Sequence, residues 1–316
     1  MQDCLRTRGF LPVADPDTRL TLGERFEWLD QLGHDLPSLL LEPDCRTYLQ
    51  HQPIPDWPHP NIPPALLPQA RLFYLRLGFL ASGYINQVGQ PTTHVLPANI
   101  ARPLCQIAQL LDRPPMLSYD GYALYNWKRF DSEKPVQLGN IDTLQNFVHL
   151  YDEHWFILVH VEIEALAARI YGAIEDLKVG DKFTDGDAVD NCLLQMGGAL
   201  DKILAVLRRI PERMSDELYF SHFRPYIGQF KNVTYESIGQ VVSFRGETGA
   251  QSSMMPTLVA FMKIPHQPNR LLSHLKDMRQ YMPSTHRQWL EQVELMPDMR
   301  SVASREPFNT VLERMA

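Results

Sequence analysis

No two cysteines in this chain are spaced as C-x-x-C. The four present, Cys4, Cys45, Cys105 and Cys192, lie far apart in 316 residues. That spacing speaks against a zinc ribbon or a redox pair and for reduced, structural thiols. No run approaches the ~20 apolar residues that span a bilayer. The opening MQDCLRTRGF lacks the apolar core of a secretory signal. These absences predict a cytoplasmic protein without membrane contact. A basic stripe is missing too: 30 Lys and Arg are scattered among 37 Asp and Glu, for a formal charge of −7. Nucleic acid is therefore not expected as a partner, nor is a polybasic anchor.

What is present is a globular composition, 44 % apolar and 21 % charged, enough to bury a sizeable core. Residues 1–115 read as a smaller N-terminal domain with a Pro-rich connector, and residues 116–316 as a larger helical domain. The connector HQPIPDWPHPNIPP, from His51 to Pro64, holds too many prolines for helix. Short helices are expected near Leu22–Leu32 and Pro37–Gln50. Ala65–Ile85 is apolar almost all round, the mark of a buried helix. Leu96–Leu111 follows, then the turn Asp112–Pro115. Ile141–Leu177 has no proline and no glycine before Gly172. It predicts a long central helix, with room for a shorter one before it. Asp187–Arg209 reads as another helix, ended by Pro211, and a further one opens at Ser215 and runs toward Phe223. Gly228–Gln251 reads as a loop. Helices resume at Met254–Ile264, Arg270–Met282, Thr285–Glu294 and Phe308–Met315. With no clear strand series and no repeat, the expected class is all-α.

Three segments can carry chemistry. Phe156, His160 and Glu164 are spaced i, i+4, i+8 and lie along one side of the central helix. They suit either a core histidine with an ordinary partner or a pocket wall offering one polar contact. A zinc site does not fit: His154 and His160 are six apart, whereas H-E-x-x-H needs four. Arg224, in YFSHFRPYI, sits in an aromatic run. Its fork suits either a protein carboxylate or a ligand carboxylate. In FRGETGAQSSMMP, Gly246 and Gly249 free the backbone while Thr248, Ser252 and Ser253 add hydroxyls ahead of a helix. That loop can cap the helix or hold an anion on its amides. It is not a Walker loop, because no Lys-Ser/Thr follows the glycines.

Together these segments gain meaning from a likeness. PANIARPLCQIAQLLDRPPMLSYDGYALYNWKRF (Pro97–Phe130), YFSHFR, GAQSS (Gly249–Ser253) and DMRQYMPSTHRQWL (Asp277–Leu290) resemble the indoleamine 2,3-dioxygenase family, from about Arg71 to the end of the chain. The resemblance implies heme b as cofactor and an indole substrate with O2 as partners. It places the heme between helices of the large domain and the substrate ring over its distal face. Tyr119, Tyr122 and Ala123 match the inner indole pocket, and Phe156 the aromatic near the ring. Tyr219 and Phe220 match an aromatic pair lower in the cleft, and Arg224 the carboxylate-binding arginine. Thr248, Gly249, Gly246 and Ser252 match the loop over the amino-acid moiety and a heme propionate.

Two departures stand out. The family usually has serine where this chain has His160. The related tryptophan 2,3-dioxygenases place a histidine there, so His160 is the expected catalytic residue, orienting the indole N–H. Tyr122 is bulkier than the small residue often found at its position. The resemblance also implies a proximal histidine in a helix after a stretch like Pro307–Ala316, so the iron ligand is expected beyond Ala316 and none is assigned within the chain. His286 matches a position that is not the ligand. The implied activity is dioxygenation of L-tryptophan or a close indole to an N-formylkynurenine-type product, a step of tryptophan catabolism. Mono-oxygenation of a modified indole, or a non-catalytic helical ligand-binding protein, are the alternatives.

Overall fold

A computed structural model describes residues 2–236, 238–265 and 270–316, with side chains described from Leu5 onward except for residues 270–272. The helices are α1 (Gln2–Arg8), α2 (Glu24–Leu39), α3 (Cys45–Gln50), α4 (Leu67–Ile85), α5 (Ala98–Leu110), α6 (Tyr151–Val179), α7 (Gly186–Leu207), α8 (Asp216–Leu218), α9 (Met254–Phe261), α10 (Arg270–Arg279), α11 (Ser284–Glu294) and α12 (Arg305–Met315). Among the described residues no helix is long and apolar enough to cross a membrane. Cys45, Cys105 and Cys192 are free thiols.

The fold is predominantly helical, but the all-α expectation needs correction. The stretch read as loop contains a hairpin, β4 (Phe230–Tyr235) antiparallel to β5 (Gln240–Phe244). The short β1 (Val95–Leu96) adds parallel to β4. A second, two-residue ladder pairs β2 (Lys128–Arg129) with β3 (Ile141–Asp142). The hairpin hides in the sequence because its alternation is broken. Phe230, Val233 and Tyr235 all face inward, and the register shifts between Phe230 and Val233. Asn232 supplies the left-handed residue of that irregularity, at φ 51°.

Pro37 is a second surprise. It lies inside the last turn of α2 rather than opening a new helix. A proline there leaves the carbonyl four residues back without its N–H donor. Gln145 Nε2 fills the gap, donating to Gly33 O at 2.6 Å. A comparable substitution shortens the central helix. Glu153 Oε2 accepts Phe147 N at 2.8 Å and Val148 N at 2.9 Å, so these amides need no helical partner. Residues 141–150 stay extended or looped, and α6 starts at Tyr151.

Helix α6 separates two cores. Ile157, Leu158 and Val161 face a core built by α2, α4, α5 and the hairpin. Val159, Ile163, Ala167 and Ile170 face another, shared with α1, α7, α9, α11 and α12. Apolar residues therefore occupy two sides of this helix. Phe156, His160 and Glu164 occupy the strip between the cores.

Candidate active site

Two wide helical turns deliver the aromatic residues. In the first, Asp120–Leu124, the Tyr125 amide donates to Asp120 O, five residues back. In the second, Tyr219–Phe223, the Arg224 amide donates to Tyr219 O. Such π turns re-aim side chains at functional sites. The first is held by a buried, hydrogen-bonded cluster. Arg113 grips Asp120 with Nε at 2.9 Å and Nη2 at 2.8 Å, and Ser118 Oγ joins at 2.7 Å from Asp120 Oδ1.

The central helix supplies the polar contact. His160 lies 2.7 Å through Nδ1 from Phe156 O. A carbonyl only accepts, so Nδ1 carries the hydrogen and Nε2 is left as an acceptor. Nε2 has no hydrogen-bond partner among the described residues and faces Gly249, whose added Cβ would sit 3.9 Å away. Burial lowers the imidazole's pKa, only partly opposed by the Phe156 carbonyl, so the ring is neutral at neutral pH. Tyr119 stands edge-on to His160, centroids 6.1 Å apart.

Beside His160 is an aromatic group. Phe156 lies 5.3 Å from Tyr219, 5.9 Å from Phe223 and 6.5 Å from Tyr122, centroid to centroid. Tyr122 is buried, and its hydroxyl donates to Glu153 Oε1 at 3.2 Å. Burial pushes the Glu153 carboxyl up to about 8, against the hydrogen bonds it accepts. Ala123 is buried beside Tyr122. Phe220 differs from its neighbours: it is 69 % exposed and packs its ring against Tyr219 at 4.9 Å.

Arg224 is half-buried, and among the described residues no carboxylate lies within ion-pair distance of it. Its Nη1 donates to Ile227 O at 3.3 Å and Glu247 O at 3.4 Å. The Glu247 side chain is buried. Burial raises its carboxyl to about 7, a rise that Arg224 opposes.

The glycine loop is pinned rather than loose. Gly246 runs so close to the chain at 227–229 that a Cβ would fall 2.4 Å from Ile227 O. Thr248 caps the short turn Gly249–Gln251 with its side chain. Gln251 staples the loop to the first wide turn, accepting Tyr119 N at 2.9 Å and donating to Gly246 O at 3.0 Å. Ser252 Oγ donates to Glu164 Oε1 at 2.5 Å, and Tyr119 O–H donates to the same oxygen at 3.0 Å. Ser253 turns away, 3.3 Å from His286 Nδ1.

Tyr119, His160, Gly249 and Ser252 thus meet around a cavity of about 370 Å³, with Ile163, Leu200, Ile203 and Met254 as apolar wall. A neighbouring cavity of about 680 Å³ shares Gly249, Ser252 and Met255, and adds Val259, Ile264, Lys263, Lys276 and Arg279. Glu294 lines it too and pairs with Arg279 at 2.6 Å, while Lys263 donates to the carbonyls of Val293 and Glu294, so Lys276 is the cation there with no such bond among the described residues. Among the described residues no group of three His, Cys, Asp or Glu could hold a metal ion. Phe156, Tyr219 and Arg224 form the adjoining cluster rather than the wall of either cavity. Phe223, Glu247 and Gln251 were not singled out as site residues. Gln251 was legible only as part of GAQSS, and nothing in local spacing marks the other two.

A family model described as indoleamine 2,3-dioxygenase matches residues 3–314. The indoleamine 2,3-dioxygenase of Saccharomyces cerevisiae is 29 % identical over 96 % of this chain and 72 % of its own length. Indoleamine 2,3-dioxygenase 1 of Rattus norvegicus is 29 % identical over 70 % of this chain and 58 % of its own. A protein named myoglobin from Haliotis madaka is 26 % identical over 92 % of this chain and 75 % of its own. The chain therefore spans little more than half the length of the rat relative and about three quarters of the other two.

Proposed function

This chain belongs to the indoleamine 2,3-dioxygenase family, and on that premise we propose that it binds heme b and opens the indole ring of L-tryptophan or a close indole with O2. The observation that carries this reading is the fixed tautomer of His160, which leaves Nε2 as the acceptor for an indole N–H. The apolar wall and the loop at Gly246, Thr248, Gly249 and Ser252 would hold the cofactor. Heme, when bound, supplies activation of O2 for insertion across the indole C2–C3 bond, chemistry the protein alone does not provide.

The chain's own groups bind and orient. Phe156 and Tyr119 pack the ring, with Tyr219 and Phe223 backing Phe156. Arg224 meets the substrate carboxylate. Its guanidinium is held by carbonyls that keep its charge, and the raised Glu247 carboxyl beside it carries only part of a charge at neutral pH. Ala123 lines the inner end, where Tyr122 fills space with its ring while Glu153 holds its hydroxyl.

The test is product mass. The full-length protein, supplied with hemin and a reductant, is incubated with L-tryptophan and O2. Gain of two oxygen atoms with ring opening supports the reading; gain of one favours mono-oxygenation of the indole. Because one relative bears the name myoglobin, a heme-coloured protein that forms no product counts against catalysis.

A further inference from the structure

Glu164 is a buried acid that the proposed reaction does not use. It is 1 % exposed, four residues beyond His160 on α6. Its Oε1 takes two hydroxyl donors, Tyr119 from the first wide turn and Ser252 from the glycine loop. Its Oε2 is buried and has no hydrogen-bond partner among the described residues. An ionised carboxylate would leave a charged oxygen unpaired there, which is costly. Burial raises the Glu164 carboxyl, opposed by Ser252 and Tyr119.

The topology gives that bond pair a consequence. Gln251 already ties the glycine loop to the Tyr119 backbone. Glu164 ties both to α6, one turn from His160. We propose that Glu164 is a positioning residue, a clamp that fastens the Tyr119 turn and the Gly246–Ser253 loop as one unit against the helix that carries His160. This rests on the indole-binding reading only for its effect on substrate; the clamp itself is a property of the protein. Glutamine keeps that acceptor, since its carbonyl oxygen can take both hydroxyls.

Hydrogen exchange of the full chain tests the clamp without turnover. Glu164→Ala is expected to speed exchange of amides in both 117–123 and 248–253 by about tenfold or more, while Glu164→Gln stays within about twofold of the parent. Should Glu164→Ala not fold, the pair Tyr119→Phe and Ser252→Ala removes both arms and is expected to loosen the same two segments. In turnover by the heme-loaded protein, Glu164→Ala is expected to raise KM about tenfold and to lower kcat much less, with Glu164→Gln restoring KM. Unchanged exchange in either segment, or a Gln variant as loose as Ala, overturns the proposal. If the parent neither binds nor converts any indole, the functional reading fails while the exchange result still decides the clamp.

Discussion

Two arginines set the finished part of this molecule against the unfinished part. Arg113 is buried and bonded through Nε and Nη2 to both oxygens of Asp120, to Ser118 and to a backbone carbonyl of Tyr281, while its Nη1 has no partner among the described residues. Arg224, on the second wide turn, has two long bonds to carbonyls and no carboxylate partner among the described residues. One guanidinium has its counter-charge within the fold. The other keeps its charge and its fork available. A buried ion pair locks a segment in place but contributes little net stability, whereas a cation without its anion is where a ligand carboxylate gains most.

That contrast can be broken by experiment. The largest effect belongs to Asp120→Ala, which strands Arg113 in the core and should cost about 3–5 kcal/mol of stability by urea melting. Loss below about 1 kcal/mol would show that the cluster is not the anchor of the Tyr119 turn. Next is Arg224→Ala. Removing a bidentate clamp worth about 3 kcal/mol should raise KM for L-tryptophan roughly a hundredfold with little change in melting temperature. If saturation is unchanged, Arg224 is as structural as Arg113.

A pH test follows. Glu153 has a folded pKa of about 8 against an ordinary 4.5. The folded state then binds the extra proton, so its contribution to stability is complete below about 4.5 and is lost as pH rises toward 8. Glu153→Gln should flatten that decline in thermal melts taken across this range. The smallest effect is Phe220→Ala: at 69 % exposure it should shift stability by no more than about 0.5 kcal/mol. A large change in KM would bring Phe220 into the cleft in the bound state.

Much of this was readable in advance. The ladder Phe156, His160, Glu164 follows from helical spacing alone, and α7 lies close to the expected Asp187–Arg209, whereas α6 begins later than the expected Ile141–Leu177. The hairpin was not readable, because the shift beside Asn232 breaks its period of two. Nor was the end of α2, where Pro37 is tolerated only because Gln145, far along the chain, supplies the missing donor. The wide turns at Tyr119 and Tyr219 escape any reading based on a period of 3.6.

The sequence by itself determined which residues face the same way along α6 and which stretches form helix, because those depend on neighbours within a few positions. It also carried the likeness of the glycine loop and the aromatic runs to a known family. The tautomer of His160 is set locally, by the carbonyl four residues back on the same helix, but whether Arg224 already has a carboxylate and what Glu164 holds were decided only by the tertiary structure. Glu164 meets Tyr119 across 45 positions and Ser252 across 88. Partners so distant in the chain are selected by packing, and no local pattern encodes them.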